Sequence, residues 1–245
     1  MFPDDTTSWI GFGLIMLLSL SFHEAAHAFV ADRLGDPTAR ELGRVTLNPL
    51  KHLDPFLSVV LPAILIWAGG PVMGGGKPVP INVMNFRHKA RDFMLVALAG
   101  PCSNLILAGL FGTLFVLSAW TGLLPPTVVS NPYGADQVFY ASFLSMGPAA
   151  SYSEMWLKLG VFLNIGLALF NLMPVPPLDG SRVIGWLLPR PLQFRWYALD
   201  RLGFLVLLGI IMFGGGVKYV WTGVLWSYLA LGGAIDHVVG LVPPT

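Results

Sequence analysis

The stretch WIGFGLIMLLSLSFHEAAHAFVADRL, residues 9–34, is apolar almost throughout, yet its centre reads F-H-E-A-A-H. Between Trp9 and Ala31 the only ionisable groups are His23, Glu24 and His27. A run of this length satisfies the roughly 20 apolar residues that an α-helix needs to cross a bilayer. It stops at Gly35-Asp36-Pro37, a sound helix end. The first element is therefore a membrane helix with three costly side chains inside it. How those side chains are repaid decides both fold and function.

The rest of the chain has the same character. Of 245 residues, 55% are apolar and 11% charged, against about 25% charged in a soluble domain, and the mean hydropathy is +0.69. The class is an all-α polytopic membrane protein in a lipid bilayer. A net charge of +1 names no partner, and without a basic run interleaved with aromatics no nucleic acid is expected. The single cysteine, Cys102, excludes an internal disulfide and a cysteine-based metal site. No Lys or Arg precedes the first apolar run, so it reads as a retained helix rather than a cleaved signal peptide.

About five to six transmembrane or re-entrant helices are expected. Residues 38–54 are polar and basic, and 42–48 suggest a short β-hairpin or extended loop after the first helix. Asp54-Pro55 caps a second apolar segment that ends near Ala68, too short for a full span. GKPVPIN after it reads as extended. Longer segments follow at about 92–120 and 154–173, then a short helix to Leu188, then segments at about 192–213 and 217–239. Residues 191–245 are expected to add further transmembrane helices to the same membrane domain as residues 1–190. The loops 33–54, 77–91 and 180–201 carry the Lys and Arg residues and read as cytoplasmic. That assignment holds only if the second segment dips in and returns, lining a cavity. The localisation expected is the cell membrane, multi-pass.

In a helix, His23 and His27 lie one turn apart on one face and can turn ring nitrogens toward one metal ion. Glu24 beside them can act as general base toward water. This is the arrangement of a zinc hydrolase. Mutual pairing of the three side chains is the competing reading, but ionisable groups within a span are functional by default. A catalytic zinc wants three protein ligands and an open position. His52 and His88 sit in basic loops and read as solvated; His237 lies near the C-terminus. Asp179, between Pro176-Pro177 and Gly180, would alone read as a helix N-cap. Beside HEAAH it becomes the best third ligand.

Together, F-H-E-A-A-H at 22–27 and N-L-M-P-V-P-P-L-D-G at 171–180 resemble the site-2 protease family of intramembrane zinc metalloproteases. G-K-P-V-P at 76–80 and A-G-P-C-S-N at 99–104 match stretches common in its small members, those without a PDZ-like or appended regulatory domain. The resemblance covers roughly residues 9–190 and implies that residues 1–190 form the catalytic core. It implies one Zn2+ per chain held by His23, His27 and Asp179, with Glu24 as general base. It also implies Asn171 as the donor to the substrate carbonyl or oxyanion.

The expected function is a zinc-dependent endopeptidase hydrolysing bonds in or near transmembrane segments of membrane-protein substrates. The rival readings are a zinc-binding transporter and a catalytically silent scaffold. His23 lies about 21 Å along its helix from Trp9 at 1.5 Å per residue, so the active site is expected toward the cytoplasmic side. A substrate strand could add to the edge of residues 42–48. The sequence leaves the substrate and the oligomeric state open.

Overall fold

The computed structural model describes residues 6–60, 63, 64, 67, 75–123, 127–129, 137–139, 152–200, 202, 203, 209 and, with breaks at 224 and 228, 222–235. The long elements are helices: α1 (Thr6–Arg33), α3 (Lys89–Trp120) and α4 (Tyr152–Asn171). Short helices join or follow them: α2 (Thr38–Glu41), α5 (Gly180–Leu187) and α6 (Arg190–Ala198). Two three-residue strands, β1 (Thr127–Val129) and β2 (Gln137–Phe139), pair antiparallel with Val128 opposite Val138.

Three helices are long and apolar enough to cross a membrane: Trp9–Arg33, Lys89–Trp120 and Tyr152–Asn171. The protein is a membrane protein by this measure. The expected count of five to six is not reached among the described residues. The returning part of the second segment, residues 68–74, and most of the last two segments lie outside them.

Helix α1 shows why the chain suits lipid. Its buried stripe runs Ile15, Ser19, His23, His27, Ala31 at four-residue spacing. Trp9, Ile10, Leu14, Leu18 and Phe29 point outward and are exposed. A helix in water puts its apolar stripe inside; here, below Ile15, polar and small groups are inside and large apolar ones are outside. The helix ends in a Schellman motif. The Gly35 N–H bonds the Asp32 carbonyl at 3.2 Å, the Asp36 N–H bonds the Ala31 carbonyl at 3.0 Å, and Gly35 takes φ +109°.

Beyond it, of the hairpin or extended loop expected at 42–48, the hairpin is not formed and the residues make a loop. Gly43, at φ +65°, reverses the chain directly after α2. Asn48 then caps a 3₁₀ turn over Pro49–Lys51 by accepting from the Leu50 N–H at 3.0 Å. Four residues remain between, too few for two paired strands. The backbone there is also engaged, for the Thr46 carbonyl accepts from His52 Nε2 at 2.7 Å. The segment from Asp54-Pro55 starts as expected, as a π-helical turn over Pro55–Val60 with the Asp54 carboxylate accepting from the Phe56 N–H at 2.9 Å.

By contact the chain divides into two compact units, residues 1–16, 105–166 and 218–245 in one and 17–104 and 167–217 in the other. In the first, Ile15, Leu159 and Leu163 form a core with Phe12, Met16, Phe111 and Trp156. Gly160 gives way to the Phe111 ring. In the second, Ala31, Phe86 and Val96 form a core with Val30, Leu34, Ile81, Val83 and Phe93. Asp36 ties this unit together. Its buried carboxylate accepts from the Thr38 N–H and hydroxyl, from Asn85 Nδ2 and from the Asn82 N–H.

Candidate metal centre

The second unit brings together His23, His27 and Asp179. One helical turn puts the two histidines in register, and their rings stand nearly perpendicular at 86°. Their Nε2 atoms lie 3.0 Å apart. Asp179 Oδ2 is 3.2 Å from His23 Nε2 and 3.3 Å from His27 Nε2. Both histidines are buried.

The far side of each ring fixes which nitrogen carries hydrogen. His27 Nδ1 donates to the Val96 carbonyl at 2.7 Å. His23 Nδ1 donates to Asn104 Oδ1 at 2.6 Å, and Asn104 in turn donates from Nδ2 to the Ser19 carbonyl. In the neutral rings this leaves Nε2 as a bare lone pair on both. The two lone pairs face a carboxylate oxygen that is itself buried and has no protein donor bonded to it. In that tautomer three acceptors converge within 3.3 Å of one another.

That donor set fits a metal ion. Ligands about 2.0–2.1 Å from a tetrahedral zinc stand about 3.3 Å from one another, and the three edges here are 3.0, 3.2 and 3.3 Å. Each histidine is also oriented from behind by an acceptor, the outer arrangement that metal-binding histidines require.

Local sequence explains the convergence. Asp179 stands at the N-cap of α5 but makes no side-chain capping bond. The capping alternative is thus not what its carboxylate does. Gly180 is needed because a Cβ there would run into the Leu172 and Met173 backbone just past α4. Gly100 is needed because a Cβ there would collide with both histidine rings. Pro101 follows it inside α3.

Glu24, half-buried, turns to the neighbouring face. A Cβ on Gly76 would lie 3.0 Å from its Oε1, so the carboxylate rests against Gly76 in the segment 75–80. That segment is pinned at three points: Ser58 Oγ donates to the Gly75 carbonyl, the Lys77 N–H to the His52 carbonyl, and buried Arg44 to the Lys77 carbonyl at 2.5 Å.

Asn171 is not drawn into the cluster by any hydrogen bond. It is the last residue of α4, half-buried, and its Nδ2 donates to the Leu167 carbonyl at 2.9 Å. His52 corrects an expectation: it is buried, not solvated, and holds the 46–52 loop. His88 is exposed, and His237 lies outside the described residues. Reading the sequence missed Asn104 and Gly100 as neighbours of the histidines. An asparagine in an apolar span was the available signal.

The profile of Peptidase family M50 matches residues 11–210. The chain belongs to peptidase family M50. Among relatives, "Putative zinc metalloprotease YwhC" of Bacillus subtilis (strain 168) is 37% identical over 208 residues, covering 85% of this chain and 83% of that one. "Putative zinc metalloprotease Rip2" of Mycolicibacterium smegmatis (strain ATCC 700084 / mc(2)155) is 30% identical over 212 residues, covering 86% and 70%. No solved structure matches the chain. As an M50 peptidase of the site-2 type the protein is a zinc-dependent metalloendopeptidase, and the His23, His27 and Asp179 group is one that could hold the Zn2+.

Proposed function

We propose that this M50 peptidase hydrolyses peptide bonds in or near the transmembrane segments of membrane proteins, with zinc held by His23, His27 and Asp179. The observation that carries the reading is the triangle of three acceptors, 3.0 to 3.3 Å on a side, built on a helix long and apolar enough to span a bilayer. All the proposed site residues fall within residues 1–190, the proposed catalytic core. The basic segments 33–54, 77–91 and 180–201 support an active site open to the cytoplasmic face of the cell membrane.

Zinc, when bound, supplies Lewis-acid polarisation of a carbonyl and makes water acidic enough to ionise near neutrality. The protein's own groups do the rest. Asn104 and the Val96 carbonyl keep Nε2 of both histidines free of hydrogen and aimed inward. Glu24 takes the proton of the attacking water and later hands it to the leaving amine. Its seat against Gly76 limits where that carboxylate can swing. Asn171 exchanges its bond to Leu167 for one to the substrate carbonyl as charge develops there.

The test is cleavage of a transmembrane peptide by purified wild type and Glu24→Gln, with zinc measured in both. The variant should keep its zinc and lose turnover by about 10²-fold or more, the scale of general-base catalysis. Proteolysis at the wild-type rate in Glu24→Gln would remove the assignment.

A further inference from the structure

Arg182 lies three residues past Asp179, in the first turn of α5. Its guanidinium is held on three sides. Nη1 bonds Asp200 Oδ2 at 2.6 Å, and Cζ stands 5.0 Å from the centre of the Phe93 ring and 5.6 Å from that of Tyr197. The two rings meet edge to face, 5.9 Å apart. Phe93 belongs to α3, three residues before Val96, whose carbonyl orients His27.

Helix α6 closes on α5 around this point. Trp196 Nε1 donates to the Ser181 carbonyl at 2.8 Å, and the Tyr197 ring fills the space over Gly185 where a Cβ would not fit. So the residues directly after Asp179 are gripped at positions 181, 182 and 185. The outer anchor of that grip is on the helix that orients both histidines.

We infer that Arg182 is a positioning residue for the metal centre, clamping the turn that carries Asp179 to the helix that carries Val96, Gly100 and Asn104. The inference rests on the proposal that His23, His27 and Asp179 hold the zinc. A planar guanidinium suits the task because it can stack on rings while its edge pairs with a carboxylate; an ammonium keeps the charge and loses the stack. Without the clamp the α5 turn is free to drift. A ligand displaced by a few tenths of an ångström holds its ion less tightly, although no ligand has been changed.

The experiment measures zinc affinity of the purified full chain in detergent by competition with a chelator. The proteins are wild type, Arg182→Ala, Arg182→Lys, Asp200→Asn, the Arg182→Ala/Asp200→Asn double variant and His23→Ala. Melting temperatures are taken in excess chelator alongside. Arg182→Ala should bind zinc about 10- to 100-fold more weakly, the range for lost outer partners of metal ligands. Asp200→Asn and Arg182→Lys should weaken it in the same direction, and the double variant should be no worse than Arg182→Ala, since the two act as one unit.

A lower melting temperature with zinc affinity within twofold of wild type would assign Arg182 to fold support alone and overturn the inference. Should Arg182→Ala not fold, the near-isosteric Asp200→Asn decides by the same criterion. If His23→Ala bound zinc as tightly as wild type, the ligand assignment beneath the inference would fall, and the inference with it. That outcome differs from one in which His23→Ala loses zinc and the Arg182 variants do not.

Discussion

At the scale of single residues, the centre depends on where hydrogens are not. The two Nδ1 atoms have carbonyl-type partners behind them, so in the neutral rings the Nε2 atoms are acceptors, and Asp179 adds a third. The His23–Asn104 bond spans 81 positions in sequence, and it was not legible because nothing in A-G-P-C-S-N says which helix it faces. The two histidines were legible because four-residue spacing alone puts them on one face. Asp179 was legible only in company, since P-P-L-D-G by itself reads as a capped helix start. Removing the orienting group should therefore weaken the metal without touching a ligand. Asn104→Ala should bind zinc about 10- to 100-fold more weakly than wild type, and Asn104→Asp, which keeps an acceptor, should retain more of the affinity. Chelator competition on the two variants checks the order. Equal affinity in wild type and Asn104→Ala would mean that His23 needs no help.

Among the elements, those marked by local chemistry came out where the sequence placed them. The Gly35-Asp36 stop works because only a residue free to take positive φ closes the Schellman motif. At 42–48 the sequence left a hairpin and a loop open, and the loop forms because the two reversals, at Gly43 and at Asn48-Pro49, sit too close together for strands. His52 looked exposed among basic neighbours, but its ring bonds a carbonyl six residues back, a closure that no periodicity announces. Asp36 gives this region a test. Burial works to raise its carboxyl's pKa, but hydrogen bonds from Thr38, Asn85 and Asn82 outweigh it and hold the group below the ordinary carboxylate value. A carboxylate whose pKa is lowered by folding stabilises fully above its unfolded value, about 3.9, and loses that contribution as pH falls through the folded one. Asp36→Asn should accordingly be less stable at neutral pH, by about 1–3 kcal/mol. Its melting temperature should also fall less than that of wild type on acidification below about pH 4. Thermal unfolding at several pH values reads both. Parallel pH curves for the two proteins would count against a folded-state role for the carboxylate.

For the whole molecule, the membrane explains the placement of polarity. Large apolar side chains face outward on α1 and α3, and the polar stripe of α1 faces in, where Asn104 and Asp179 meet it. Membership of the M50 family gives the chemistry, and the two motifs about 150 residues apart supply the three side chains that could hold its metal. Neither half suffices: α1 brings two imidazoles and the carboxylate proposed as base, and the turn before α5 brings the remaining acceptor. The claim that these halves form one zinc centre is tested most directly by zinc content per chain. Purified wild type and Asp179→Ala, matched for helix content by circular dichroism, are to be compared after dialysis against a weak chelator. One zinc per chain in wild type and well under half of that in Asp179→Ala, with proteolysis lost, is the predicted result. One zinc per chain retained in Asp179→Ala, with activity intact, would contradict it.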